Sequence, residues 1–446
     1  MAKSEGKVVG SKNKAWVISV DMGYGHQRAA YPLKDIAYDR IITANSDKII
    51  TPKEKRTWLW FQSIYESMSK IDSFPIIGKT LRAAFEKIES ISPYYPFRDL
   101  SKPNFGSLYM HRLIKKGFLK SLVEFTEEKK ELPFVSTFFA PALAASHVDV
   151  SDVYCVVTDT DINRVWVPEN PKSEKLYYLT PTEHSTKRLI AYGVPRENIF
   201  FTGFPLPKEN MGEDLSILKK DLGERLANLD PNKIYFGRLK EVIKKQIPGA
   251  YKKNSKRPLT LTFVVGGAGA QRKIGAAILR SLKGKIIRHD IRVNLIAGTR
   301  VEIEEFFKSI VEELGLKKEL GKYVNIFCSL DKKSHFSGFN QILRTTDVLW
   351  TKPSELVFYA ALGIPLILTP PIGPHEILNQ KWILRMGSGL SQEDPEFTNE
   401  WLFEWIEKGI LAESAWEGFT EAPRFGTYNI EKVIFSKDKS KVKFRY

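Results

Sequence analysis

The hydrophobic positions of the chain fall into short apolar runs separated by longer polar stretches that favour helices. Four runs stand out, and a loop rich in glycine, proline or hydroxyl residues follows each one: Ala15–Val20, Leu259–Val265, Asp347–Trp350 and Pro365–Leu368. Continuous apolar runs of this length are typical of strands buried on both faces, as in a parallel sheet covered by helices. The pattern therefore predicts an α/β protein whose binding crevice lies at the carboxyl ends of its strands.

The order strand, glycine loop, helix occurs twice. Ala15–Val20 leads into Asp21-Met-Gly-Tyr-Gly-His26, and Leu259–Val265 leads into Gly266-Gly-Ala-Gly269. Each has the layout of a Rossmann half, in which the N-terminus of the helix binds phosphate. For the second loop, a tight turn without a binding role is the alternative interpretation. We predict two Rossmann-like domains at 1–206 and 255–395, a hinge segment at 207–254, and C-terminal helices with a basic tail at 396–446.

The stretch from Asp347 to Asn379 has the pattern of a complete βαβ unit. A strand is followed by a turn, by a helix that Ser354 is placed to cap, and by a second strand. Its two loops would line one crevice, and their polar side chains suit the phosphates and hydroxyls of a nucleotide-sugar. These side chains are Lys352, Ser354, Glu355, His375, Glu376 and Asn379.

Residues 38–130 are predicted to be a mostly helical insertion in the first domain, with aromatic and basic residues interleaved. One interpretation is an amphipathic cap packed on the domain. The other is a membrane-surface patch, in which aromatic rings enter the headgroup layer and basic residues meet anionic lipid. Further helices beyond residue 389 carry Trp401, Trp405 and Trp416, which we predict to be exposed.

The composition says more about the cellular environment of the protein than about its function. A formal net charge of +16 and a pI of about 9.4 favour anionic partners, but charge alone does not choose between nucleic acid, lipid headgroups and nucleotide phosphates. The two cysteines, Cys155 and Cys328, each fall in a predicted strand and suit core packing in a reducing cytoplasm. No apolar signal core or membrane-spanning run is present. We expect a cytoplasmic protein, with peripheral attachment to the inner face of a membrane as one option.

Three motifs resemble a known family. They are D-x-G-x-G-H-x-x-x-A at 21–30, V-T-D at 157–159 with the run that continues to Leu206, and T-K-P-S at 351–354 with P-P-I-G-P-H-E-I-L-N at 370–379. Together they resemble the lipid-linked branch of the GT-B glycosyltransferases. That branch includes monogalactosyldiacylglycerol synthase, the diacylglycerol glucosyltransferases and the UDP-N-acetylglucosamine transferase of peptidoglycan synthesis. Tyr24 replaces a glycine of the family pattern, and Phe358–Ala360 stands where its ribose-holding Glu would fall.

The resemblance implies an inverting transferase with a UDP-sugar donor and a lipid or membrane-associated acceptor, in a GT-B fold of two facing Rossmann-like domains. His26 is the candidate base, since its unperturbed pKa suits neutral pH, and Asp159 would orient it or take its place. The donor would be bound by the second domain. The candidate donor-site residues are Gly267, Ala268 and Gly269 for the diphosphate, Thr351 or Ser354 as a hydroxyl donor, Glu355 for the ribose, and His375, Glu376 and Asn379 for the sugar.

Asp159 and Asp161 also form a D-x-D pair, which binds metal in the other glycosyltransferase fold. Two acids on one loop are common, and GT-B enzymes need no metal for the leaving group, so we expect neither a metal nor a cofactor besides the donor substrate. Two alternatives stay open: a sugar-nucleotide epimerase of the same fold, and a non-catalytic relative that binds a glycan or a protein. Nucleic-acid binding rests on charge alone, because no RNA or DNA motif is present.

Overall fold

The computed structural model describes residues 13–70, 91–148, 151–173, 175–251, 257–266, 269 and 271–445. Their strands form two six-stranded parallel sheets, with orders β2-β1-β3-β4-β5-β6 and β12-β11-β10-β7-β8-β9. The first sheet consists of β1 (Ala15–Ser19), β2 (Ala37–Thr43), β3 (Phe134–Ser136), β4 (Val153–Val156), β5 (Leu176–Thr180) and β6 (Ile199–Phe201). The second consists of β7 (Leu259–Val264), β8 (Ile291–Gly298), β9 (Val324–Cys328), β10 (Val348–Thr351), β11 (Leu366–Leu368) and β12 (Gly389–Ser391).

Helices cover both sheets, which confirms the predicted α/β fold of two Rossmann-like domains. Those preceding β7 are α1 (Gly25–Ala30), α2 (Pro52–Lys70), α3 (Phe105–Lys115), α4 (Lys120–Thr126), α5 (Phe139–Ser146), α6 (Glu183–Ala191), α7 (Ser216–Leu229) and α8 (Ile234–Gln246). Those following it are α9 (Arg272–Ile287), α10 (Val301–Glu313), α11 (Lys332–Thr345), a 3-10 helix (Glu355–Leu362), α12 (Pro374–Arg385), α13 (Thr398–Glu407), α14 (Ile410–Glu421) and α15 (Gly426–Phe435).

The apolar runs form strands because both of their faces are covered. All five residues of β1 are buried, and so are all four of β4. Both cysteines are free thiols: Cys155 is buried within β4, as core packing predicts, whereas Cys328 ends β9 and is only half-buried. None of the described helices has the length and apolar character needed to span a bilayer.

The predicted insertion contains α2, α3 and α4, but its first residues form the edge strand β2. Residues 71–90 lie outside the described part of the chain. The helices pack on the first sheet through Trp58 and Phe118, whose ring centroids lie 5.1 Å apart in the same core as Trp16. The inner face of this region is therefore a cap, as one of the two interpretations predicts.

Within the segment predicted as a hinge, 207–254, helix α7 packs one face into the core of the second domain. Leu222 and Leu226 of α7 are fully buried among the side chains of the second sheet. Buried Arg225 donates hydrogen bonds to the carbonyl oxygens of Thr346 at 2.7 Å and Leu362 at 3.0 Å. These bonds satisfy carbonyls at the ends of two helical segments and fix α7 to the domain.

The C-terminal helices divide between the two domains. α13 and α14 pack on the second domain, and the prediction of exposed tryptophans there is wrong: Trp401 and Trp416 are buried, and Trp405 is half-buried. The Trp401 ring packs against Trp350 of β10 at 5.2 Å, which explains its burial. By contrast, α15 returns to the first sheet, where Val433 packs in the same core as Val17.

Candidate active site

His26 lies in the first turn of α1, directly after the glycine loop that follows β1. Its Nδ1 lies 2.7 Å from the carbonyl oxygen of Thr137 and 3.2 Å from Oγ1 of Thr158. A carbonyl can only accept, so Nδ1 carries the proton and donates to Thr137. The lone pair of the neutral ring is then on Nε2, which is the arrangement a general base requires.

Side chains from both domains surround the His26 imidazole. Burial lowers the pKa of His26, and the nearby carboxylates of Asp159 and Glu355 raise it again in part, while His375 lowers it further. Asp159 belongs to the loop after β4, whereas Glu355 begins the 3-10 helix that follows β10 and His375 lies in the first turn of α12, after β11. Charged side chains from both domains therefore lie close enough to His26 to affect its pKa.

Glu355 forms a buried ion pair with Arg28 of the first domain. The Arg28 Nε lies 3.0 Å from Oε1 of Glu355, and the guanidinium also lies over the ring of Phe339, 4.6 Å from its centroid. Glu355 was predicted as the ribose contact. In the structure one of its carboxylate oxygens is paired with Arg28 of α1, and the ribose contact stays a prediction. The role of Arg28 was not predicted, because the sequence of α1 around it does not indicate an ion pair with a residue of the other domain.

Asn379 also crosses between the domains. Its Oδ1 accepts hydrogen bonds from the backbone N–H of Thr160 at 3.0 Å and from Thr160 Oγ1 at 2.8 Å, and its Nδ2 donates to Asp159 at 3.3 Å. Buried Asn379 was predicted to contact the sugar. In the structure its amide holds the loop that carries Asp159, so its contribution to the site is the position of that carboxylate.

Tyr24, which replaces a glycine of the family pattern, makes a third contact across the cleft. Its hydroxyl oxygen accepts a hydrogen bond from the backbone N–H of Thr299 at 3.0 Å. A Cβ at Gly298, whose φ is +72°, would lie 2.6 Å from that oxygen, so this close approach requires glycine. The Tyr24 ring also packs on His335 of α11, with centroids 5.3 Å apart.

The described residues that were predicted to bind the donor lie at or beyond the carboxyl ends of β7, β10 and β11. Gly267 and Ala268 lie outside the described residues, whereas Gly269 has a φ of +72° and donates its N–H to Gly266 at 2.8 Å. Ser354 precedes the 3-10 helix without capping it through its side chain, contrary to prediction. Thr351 ends β10 and is fully buried.

The carboxylate of Asp161 is hydrogen-bonded to two neighbouring basic side chains. His184 Nε2 lies 2.9 Å from its Oδ2, and Arg188 donates to both of its oxygens at 2.7 and 2.8 Å. Burial alone would raise the pKa of Asp161, but these hydrogen bonds hold it below its usual range. The second carboxylate of the D-x-D pair is therefore engaged in a structural ion pair and does not join Asp159.

Comparison with known proteins gives a partial family match. A family described as a domain of unknown function, DUF6938, matches residues 299–429, which include the loops of Thr351 and His375. No curated protein matches the sequence.

Solved structures with a similar arrangement include three from bacteria. An S. aureus MnaA–UDP structure is 12% identical, with a TM-score of 0.43 over 81% of this chain and 86% of that one. A UDP-GlcNAc 2-epimerase from Neisseria meningitidis bound to UDP-GlcNAc is 14% identical, with a TM-score of 0.42 over 80% and 88%. A glycosyltransferase from Rickettsia africae is 14% identical, with a TM-score of 0.37 over 81% and 89%.

Proposed function

We propose that this chain is an inverting GT-B glycosyltransferase that moves a sugar from a UDP-sugar to a lipid or membrane-associated acceptor. The observation that carries the proposal is the convergence of Asp159, Glu355 and His375 on the His26 imidazole from both sides of the cleft. The sequence motifs that contain these residues support the same assignment, because each resembles a loop of that family.

The chemistry needs one base and a site for the leaving group. His26 Nε2 removes the proton of the acceptor hydroxyl while its oxygen bonds to the anomeric carbon of the sugar. The bond from that carbon to the diphosphate breaks, and the electron pair leaves with the diphosphate. Attack on the face opposite the leaving group inverts the anomeric configuration. The negative charge of Asp159 stabilises the imidazolium that forms.

An exposed aromatic patch on the insertion supports a membrane-borne acceptor. The patch consists of Leu59, Trp60, Phe105 and Leu108 on α2 and α3, and the exposed fractions of the two rings are 48% for Trp60 and 70% for Phe105. The ring of Tyr109 lies 6.1 Å from Trp60 and 6.3 Å from Phe105 and joins the two helices. Exposed cations lie on the same segments: Lys53, Arg56, Lys102, Arg112, Lys115 and Lys116.

The combination fits an anionic lipid surface. Aromatic and aliphatic side chains gain free energy on entering the headgroup layer, and each nearby Lys or Arg adds about 1 kcal/mol at such a surface. We therefore propose that α2 and α3 attach the protein peripherally to a membrane that contains its acceptor.

The direct test is a transfer assay. Radiolabelled UDP-glucose, UDP-galactose and UDP-N-acetylglucosamine are each incubated with the protein and with vesicles of diacylglycerol and anionic phospholipid. We expect one donor to give label in the organic phase, with inverted anomeric configuration, and the His26→Ala variant to give none above background. Absence of lipid label with all three donors, together with unchanged melting temperature in the presence of UDP, would overturn the proposal.

A sugar-nucleotide epimerase is the second candidate, favoured by the number of titratable groups in the cleft. His26, Asp159, Glu355 and His375 exceed what a single deprotonation requires, and epimerisation removes and returns a carbon-bound proton. Incubation of the same UDP-sugars in deuterated water, without acceptor, separates the two. An epimerase places deuterium on a sugar carbon, whereas a transferase leaves the sugar unlabelled.

A further inference from the structure

The second sheet has a topological switch point between β7 and β10. β8 and β9 lie on one side of β7, while β11 and β12 lie beyond β10 on the other. Ligands of open α/β sheets bind outside the carboxyl ends of the strands at such a point. The residues that leave the sheet there are Gly266, after β7, and Lys352, after β10.

The side chain of Lys352 passes directly over Gly266. Its Cδ lies 3.2 Å and its Cε 3.4 Å from the position that a Cβ on Gly266 would occupy. Any side chain at 266 would meet the stem of Lys352, so the glycine allows the ammonium group to reach the centre of the switch point.

Glu376 holds that ammonium group. Its Oε1 lies 2.7 Å from Nζ of Lys352, and its Oε2 accepts a hydrogen bond from the backbone N–H of Ile372 at 2.9 Å. Both carboxylate oxygens are thus used to fix one cation at the start of α12. Glu376 was also predicted to contact the sugar, and that role stays a prediction beside these contacts.

Polar atoms without partners surround the same point. Oγ1 of Thr351, Oε1 of Gln271 and Nδ1 of His375 are buried and have no hydrogen-bond partner among the residues that the structure describes. Gln271 is anchored by its Nε2, which donates to Thr369 at the end of β11. Buried polar atoms in folded proteins are nearly always paired with protein groups, water or a ligand, so these three atoms are available to a polar ligand that enters here.

We propose that Lys352 is the catalytic residue that neutralises the departing diphosphate, and that Glu376 is the positioning residue that aims it. The inference rests on the proposed function. When the bond between the anomeric carbon and the diphosphate oxygen breaks, that oxygen keeps the electron pair and its negative charge grows. A cation fixed at the switch point stabilises the charge as it forms and needs no rearrangement at that moment.

The test compares ligands that differ only in phosphate number. Dissociation constants of uridine, UMP and UDP are measured by calorimetry for the wild type, Lys352→Met and Lys352→Arg. The matched control is Lys381→Met, which removes an exposed lysine from α12. We expect Lys352→Met to bind UDP roughly 10- to 100-fold more weakly and uridine equally well, since a hydrogen bond to a charged group has about that effect. Lys352→Arg should retain most of the UDP affinity.

Turnover provides the second readout. Lys352→Met should lower kcat by roughly 10²–10³-fold, the usual effect of losing one donor to a developing anion. Glu376→Gln should lower kcat while UDP affinity stays within a few-fold, because the ammonium remains but is no longer aimed. A merely structural role for Glu376 would instead lower the melting temperature and weaken uridine and UDP together.

The outcomes separate the two proposals. If the wild type binds UDP and Lys352→Met binds it equally well, Lys352 is not the diphosphate cation and the proposed function stands. If uridine and UDP weaken equally in Lys352→Met, the residue supports the pocket rather than the phosphates, and the inference is wrong. If the wild type binds none of the three ligands, the proposed function fails and this inference fails with it.

Discussion

Arg28 and Glu355 form an ion pair that joins the two domains, with Nε and Oε1 3.0 Å apart. The side chains are only 3% and 11% exposed, so water screens neither charge. Arg28 lies in α1 with His26, so the pair couples the position of His26 to the second domain.

Removal of one partner of this pair should be costly. Arg28→Met leaves the Glu355 carboxylate buried without its cation, and we expect a loss of about 3–5 kcal/mol in the free energy of unfolding. Urea denaturation measures the loss. The double variant Arg28→Met/Glu355→Gln should recover part of it, because no isolated charge remains. A loss below about 1 kcal/mol in the single variant would mean that the two domains separate readily in solution.

His26→Ala should lower the rate of transfer by roughly 10²–10⁴-fold, the usual effect of losing a positioned base. UDP affinity should hardly change, since the nucleotide is proposed to bind the other domain. Turnover, melting temperature and UDP affinity are measured on the same variant. A fall in rate that only follows a fall in melting temperature would reduce His26 to a structural role in the turn. Near-normal turnover with intact stability would leave Asp159 as the candidate base.

The acid limb of kcat/KM should reflect the environment of His26. Burial lowers its pKa from the usual 6.5, so the neutral, basic form persists below that pH. We expect kcat/KM to be flat from pH 8 to about 6.5 and to fall only in more acidic solution. Asp159→Asn removes a charge that raises the pKa and should move the limb to still lower pH. If kcat/KM of Asp159→Asn fell at the same pH as that of the wild type, the proposed interaction between Asp159 and His26 would be contradicted.

Stability should also fall in acid because of His335. Burial and the neighbouring charge of Arg28 lower the pKa of His335 to about 3. The unfolded chain takes up this proton near pH 6.5 and the folded chain does not, so each pH unit from there down to about 3 removes roughly 1.4 kcal/mol. The stabilisation is complete above pH 6.5. The free energy of unfolding of His335→Phe, measured with denaturant at several pH values between 4 and 7, should depend less steeply on pH than that of the wild type.

The exposed patch on α2 and α3 should bind anionic vesicles. Co-sedimentation should decrease as salt rises, because exposed basic residues supply part of the affinity. The double variant Trp60→Ser/Phe105→Ser should lower binding to anionic vesicles. Leu330→Ser is the matched control, since Leu330 is 73% exposed on the second domain. Equal binding of the wild type to neutral vesicles, or binding to neither kind, would contradict the proposal.

The two sheets could be predicted because their strands are buried on both faces, which leaves a continuous apolar run in the sequence. The site was predicted in part for a related reason: loops at the carboxyl ends of parallel strands must share an edge, so His26, Asp159 and His375 were expected in one cleft. In the structure Asp159 and His375 both influence the pKa of His26, and the roles of all three residues stay predictions.

Contacts between domains could not be predicted, because they depend on how two independent sheets meet. The partners of Tyr24 and Arg28 are 275 and 327 positions further along the sequence. The sequence around either residue does not indicate such distant pairs. Asn379 has the side chain expected at a sugar site, yet it binds the backbone of Thr160. The burial of Trp401 was missed because the residue type does not reveal which face of a helix meets the sheet.

The return of α15 to the first sheet affects biosynthesis. Ile430 and Val433 are fully buried in the same core as Val17, so strand β1 packs against a helix that follows the second domain in the chain. The ribosome must produce the whole second domain before this core can close. During translation an apolar face of the first sheet therefore stays exposed to solvent until α15 is made. Chaperones that bind apolar segments can bind this face during that time.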